Sequence, residues 1–255
     1  MTTTEADTLL RSGDLDGARR VLVEAARREP GDAPTRLFLF QLLALAGEWD
    51  KARAQLGTLA QLSPEAQMLS VVYGQAIEAE REREAVFAGD ARAAIHGDAP
   101  WAQGIAETLH MAGGAGDAVA REAAFDAAPD TPGVLNGTPF EWIADADARF
   151  GPTIEAIIGG RYGLLPFDQI SLMESEGPRD LRDLVWYPCE VTLRSGARIA
   201  ALLPARYPGQ ASDAHERLAR ATGWGDDGRG SGQHLWVTSD DAEQGLLSLR
   251  VLRFD

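Results

Sequence analysis

Apolar positions in the first half of the chain follow a helical period and recur in register. The stretch Gly13–Pro30 returns as Gly47–Pro64: Gly13, Ala18, Leu22 and Pro30 map onto Gly47, Ala52, Leu56 and Pro64, each by the same 34 residues. Glycine ends one helix, a small alanine lets the next helix approach closely, leucine fills the layer between them, and proline closes the unit. This spacing is the signature of a tetratricopeptide-like helix pair, which cannot bury both faces alone and therefore stacks. The pattern predicts helices over 4–12, 15–28, 34–46 and 49–61, with Leu37, Phe38, Phe40, Leu42, Leu43 and Leu45 as packing residues. A longer helix is expected over 65–87, with its charged run EAEREREAV on an exposed face. Segments 89–95 and 100–112 also read as helical, and Ala115–Pro129 as a degraded third copy. Stacked helix pairs commonly offer a groove to a peptide or helix; plain scaffolding is the alternative.

Beyond Pro132 the period changes from helical to alternating. Residues 131–139 are rich in turn formers and read as a linker. Thr153–Phe167 reads as a hairpin turning at Gly159-Gly160, and Val191–Leu203 as a second one around Ser195-Gly196. HLWVTSD and LLSLRVLRF read as late strands, and 213–221 as a short helix capped by Asp213. The expected fold is α+β. A tetratricopeptide-like helical repeat domain spans 1–130, and a small antiparallel β barrel-like domain spans 140–255 after the linker.

Charge narrows the partners. The formal net charge is −15, and both halves are acidic, which disfavours nucleic acid. No apolar run is long enough to span a membrane, and MTTTEADTLL lacks the features of a secretory signal. A bacterial cytoplasmic protein is expected. One cysteine, Cys189, allows no internal disulfide and no cysteine cluster for zinc.

Candidate chemistry is sparse. Gly223–Gly228 matches G-x-G-x-x-G only formally: no strand is read before it and no helix after it, and Asp226 and Asp227 would repel a pyrophosphate. His96, His110, His215 and His234 show no metal-binding spacing, so surface or packing roles are expected. Asp145 and Asp147 are expected on a solvated strand face. Ser231 lacks the flanking pattern of a nucleophile elbow. Cys189 reads as a small buried hydrophobe, and nothing places Glu141 opposite Glu155. No cofactor, metal or catalytic residue is predicted.

Three segments carry a resemblance: Phe140–Ile170, Pro178–Gly196 and Leu202–Gly209. They resemble the ImpE family, whose members are also called TagJ or SciE-type accessory proteins of type VI secretion, and the likeness extends over the helical repeats. It implies a non-enzymatic adaptor that binds the amino-terminal helix of the small contractile-sheath subunit. It further implies an influence on how the AAA+ ATPase that disassembles the sheath is engaged. Asp180, Arg182 and Asp183 read as a cap and helical turn, serving a polar network that holds the β domain to the helices or else touching the partner. Among Trp142, Tyr162, Phe167, Trp186 and Tyr207, most are expected in the core and one or two as anchors for an amphipathic helix. With Arg161 and Arg206 these residues form the candidate partner-binding set. A general scaffold, or a small-ligand or enzymatic domain in 137–255, are the rival readings.

Overall fold

Gly13 and Gly47 take positive φ angles of 84° and 69°, the left-handed conformation glycine adopts readily, and each turns the chain between two helices. The computed structural model describes residues 2–109, 115–209, 211 and 213–255. Five helices open it: α1 (Thr2–Arg11), α2 (Leu15–Arg28), α3 (Ala33–Leu45), α4 (Trp49–Leu59) and α5 (Pro64–Ala88). Asp14, Asp32 and Ser63 cap α2, α3 and α5 through side-chain oxygens, satisfying otherwise orphaned amides. Ala18, Leu22, Ala52 and Leu56 are all buried between the helices, as the repeat requires.

Past α5 the helical reading fails for one segment. Residues 89–95 do not extend the helices; they lead into the two-residue strand β1 (Ala94–Ile95), parallel to the sheet strand at Gly163–Leu164. A 3-10 turn at Pro100–Ala102 precedes α6 (Gln103–Thr108), and α7 (Ala115–Ala127) packs back on it. The end of the helix expected over 100–112, with His110, lies outside the described residues.

The segment read as a linker instead holds β2 (Gly133–Leu135) and starts β3 (Thr138–Phe140), an antiparallel pair. Gly137 sits in the hairpin turn and Pro139 on the edge strand β3, whereas Gly133 lies inside β2, where an added Cβ would stand 2.2 Å from the Arg253 carbonyl oxygen. The strands β4 (Ile143–Asp145), β5 (Thr153–Ile158), β6 (Arg161–Pro166), β7 (Ile170–Glu174), β8 (Trp186–Leu193) and β9 (Arg198–Pro204) follow. Helix α8 (Ala214–Arg217), capped by Asp213, leads to β10 (Thr222–Trp224) and β11 (Gly230–Gly232). The glycine-rich run 223–228 covers the end of β10 and the turn that leads to β11. Strands β12 (Leu235–Thr238), β13 (Glu243–Gly245) and β14 (Val251–Phe254) complete the chain.

The sheet is open rather than a barrel. Nine strands lie in the order β1-β6-β5-β9-β8-β7-β14-β2-β3, and among the described residues no pairing joins the two ends. Side chains alternate between its faces. Glu155, Ile157, Tyr162, Leu164, Trp186 and Leu202 face the helices and join the helical core. Ile154, Ala156, Leu165, Tyr187, Cys189, Val191 and Leu203 face away and form a second core with Trp236 and Phe254. Among the described residues, no helix is long and apolar enough to cross a membrane.

Candidate partner-binding site

The charged run of α5 faces solvent only in part: Glu78, Arg81, Glu82 and Glu84 reach it, and two of its members do not. Glu80 and Arg83, three residues apart on one face, are buried against the sheet. Arg83 forms a bidentate pair with Glu155 on β5, Nε to Oε1 at 2.6 Å and Nη2 to Oε2 at 2.7 Å, the strong fork geometry of guanidinium and carboxylate. Glu80 accepts from the Trp186 indole at 3.0 Å.

His234 extends this network. Its Nδ1 lies 2.7 Å from Asp145 Oδ2, and its Nε2 lies 2.9 Å from Glu155 Oε2. Two carboxylates on opposite ring nitrogens both need donors, and only imidazolium supplies two. Burial alone would lower the His234 pKa, but Asp145 and Glu155 outweigh it and raise it to about 9. For Glu155, burial pushes upward, yet the Arg83 guanidinium and the His234 ring hold it well below the usual carboxylate range. Burial pushes the Asp145 carboxyl up, opposed first by the His234 charge and then by hydrogen bonds from His234, the Tyr207 hydroxyl and the Asp147 amide.

Asp145 and Asp147 are therefore buried, not solvated. Asp147 pairs with Arg149 and accepts from the Gly230 amide at 2.8 Å. Tyr207 donates its hydroxyl to Asp145 at 2.7 Å, and Tyr162 donates to Glu155 at 2.7 Å. Arg206 donates to the Leu45 carbonyl at the end of α3 and to the Arg217 carbonyl. Burial lowers its pKa to about 10. Glu80, Asp145, Asp147 and Glu155 thus meet Arg83, Arg149, Arg206 and His234 across the junction, and burial pushes the Glu80 carboxyl up. An imidazolium with both protons held by carboxylates cannot serve as a general base, so the network joins helices to sheet.

The predicted site residues mostly belong to this junction. Tyr162, Trp186 and Tyr207 are buried in it, whereas Phe167 is buried in the second core against Trp236 and Phe254. Trp186 packs near Trp49 and Tyr73, with ring centroids 5.9 and 5.5 Å apart. Asp180, Arg182 and Asp183 form the expected capped turn: Asp180 accepts from the Arg182 amide and Nε, both at 2.9 Å, and Asp183 accepts from the Arg179 and Asp180 amides. Arg182 also sits 5.0 Å from the Tyr73 ring centre. Arg161 is exposed and pairs with Glu82 on α5. Trp142 is 41% exposed and stands apart from the rest. Glu141 is exposed and far in role from buried Glu155. Burial raises the Cys189 thiol pKa, which keeps it protonated and inert. His96 bonds the Ala156 carbonyl and His215 is exposed.

Two hollows open beside the junction. One, of about 500 Å³, lies between the α3–α4 turn, α5 and the Arg206–Gly209 segment. The other, a groove of about 880 Å³, runs between Val72–Ala76 of α5 and strands β5, β7, β8, β9 and β14. The sequence reading missed the walls of this larger groove, apart from Asp180, Arg182 and Asp183. On its helical wall Val72 is apolar and exposed, next along α5 to the exposed Met68 and Val71.

Relatives agree with this architecture. Residues 137–253 match the ImpE protein family model, and residues 9–72 match a tetratricopeptide repeat model. The type VI secretion system accessory component TagJ of Pseudomonas aeruginosa is 44% identical over 98% of this chain and 91% of its own. The chain belongs to the ImpE (TagJ) family. A solved structure, the crystal structure of protein VPA1032 from Vibrio parahaemolyticus, superposes with a TM-score of 0.86 over 98% of this chain and 97% of its own, at 23% identity. At that identity the likeness speaks for the fold alone.

Proposed function

We propose that this protein is an accessory component of type VI secretion that acts by binding another protein rather than by catalysis. It binds the amino-terminal helix of the small contractile-sheath subunit, and through it influences how the AAA+ sheath-disassembly ATPase is engaged. The near full-length relatedness to TagJ carries the reading. The structure supports it in two ways: a tetratricopeptide-type array is built to offer shaped surface, and the densest cluster of titratable groups is buried and committed to holding the fold. Such an adaptor would work in the bacterial cytoplasm, without cofactor, nucleic acid or membrane.

A pull-down tests the assignment. Purified protein is expected to retain the intact small sheath subunit and to lose it when the subunit's amino-terminal helix is deleted. Equal capture of both forms, or of neither, would overturn the assignment.

A further inference from the structure

The smaller of the two hollows gathers positive charge on an acidic molecule. The chain carries 24 Lys and Arg against 39 Asp and Glu, yet the charged side chains lining this space are Arg83, Arg206 and Arg217 against Glu80 and Glu84. Three elements supply the arginines: α5, the segment after β9, and α8. Past Pro204, where β9 ends, Arg206 donates to the carbonyl of Leu45 at the end of α3 and to that of Arg217 at the end of α8.

The three guanidiniums are not equally satisfied. Arg83 is forked to Glu155. Arg206 has two carbonyl oxygens, which are neutral acceptors, and a guanidinium has five N–H donors, so these bonds leave it donors to spare. Among the described residues, neither Arg206 nor Arg217 has a carboxylate within ion-pair distance. Glu80 accepts from the Trp186 indole and lies 3.4 Å from Arg83, and burial favours its uncharged form. Burial likewise lowers the Arg206 pKa; Glu80 opposes this, and the charges of Arg83 and Arg217 add to it. Like charges held together away from bulk water destabilise one another until an anion joins them.

Size and charge specify the ligand. About 500 Å³ lies within the range of small-molecule pockets, and Trp49 and Phe87 give the space aromatic walls. One guanidinium fork uses both oxygens of a carboxylate. A phosphate monoester offers three terminal oxygens and close to two negative charges, enough to meet two guanidiniums at once. We infer that this hollow binds a small phosphate monoester, its phosphoryl group between Arg206 and Arg217 and its organic body against Trp49 and Phe87. Bound there, the ligand supplies the negative charge that the junction lacks beside the ends of α3 and α8. The inference goes beyond the sheath assignment and does not depend on it.

Isothermal titration of the full-length protein with phenyl phosphate, at fixed ionic strength, tests the pocket. One saturable site is expected. Succinate, a dianion without a phosphoryl group, is expected to bind at least about tenfold more weakly. Arg217→Gln keeps the backbone carbonyl that holds Arg206 and is expected to weaken phenyl phosphate binding about tenfold or more, because a charge-assisted contact is lost. Glu84→Gln removes a negative charge from the exposed rim and is expected to tighten binding. Arg198→Gln alters an exposed arginine of β9 that does not line the hollow, and is expected to bind as the unaltered protein does. Matching thermal melts without ligand exclude misfolding as the cause. No saturable binding by the unaltered protein, or binding by Arg217→Gln within twofold of it, would overturn the pocket. Equal binding of succinate would overturn the phosphoryl ligand. Each of these results leaves the sheath pull-down untouched, so the two readings fail separately.

Discussion

His234 shows how much one side chain can carry when both its ring nitrogens are committed. Its pKa is raised to about 9 from an ordinary 6.5, so protonation favours the folded state. The stabilisation is complete below about pH 6.5 and is lost as pH rises through about 9. The melting temperature is therefore expected to fall between those values, and His234→Gln to flatten that slope; an unchanged slope in the variant would refute the role. Glu155 works in the other direction: its lowered pKa makes its contribution present above the ordinary carboxylate value and lost in acid. Arg83→Ala leaves Glu155 buried without its fork and is expected to cost ~3–5 kcal/mol, measured by urea unfolding. Pairing it with Glu155→Leu should recover much of that loss. None of these partnerships was legible in the sequence. Glu80 and Arg83 look like an ordinary solvated helical face until Glu155, 72 positions away from Arg83, is brought against them.

At the scale of elements, the helical pairs were readable because their period is local. The 34-residue repeat placed the turns at Gly13 and Gly47, and the structure has both in the left-handed region. Where a segment lacked a period, the reading failed. A two-residue strand such as β1 has no alternation to detect, so 89–95 passed for helix. The hairpin β2–β3 looked like a linker because Pro132, Gly133, Gly137 and Pro139 are residue types that turns favour. Glycine at 163 is required by the β1–β6 contact: an added Cβ would stand 2.6 Å from the Ala94 carbonyl oxygen and 2.8 Å from His96 Nε2. Gly163→Val is expected to push β1 off the sheet edge and to cost about 1–3 kcal/mol, read as a lowered urea midpoint. An unaltered midpoint would show that β1 contributes nothing to stability.

For the whole molecule, the boundary between repeat and sheet separates elements but not cores. The helix-facing side of the large sheet, with Tyr162, Leu164 and Trp186, lies in the same apolar cluster as Leu22, Phe40 and Leu56. We predict that residues 1–130 and 140–255 expressed separately will aggregate or bind a dye for exposed apolar surface, and will associate when co-expressed. Two independently soluble, cooperatively melting halves would contradict this. The amino-acid sequence by itself determined what depends on neighbours along the chain: the repeat, the caps, the hairpin turns, the α+β class and the family motifs. Tertiary structure alone decided that the sheet stays open, that part of a charged helical face is buried, that one histidine bridges two buried carboxylates, and that a stretch of apolar α5 stays bare. Those outcomes depend on which distant side chains meet. Burial and charge neutralisation are properties of such meetings, and no local period records them.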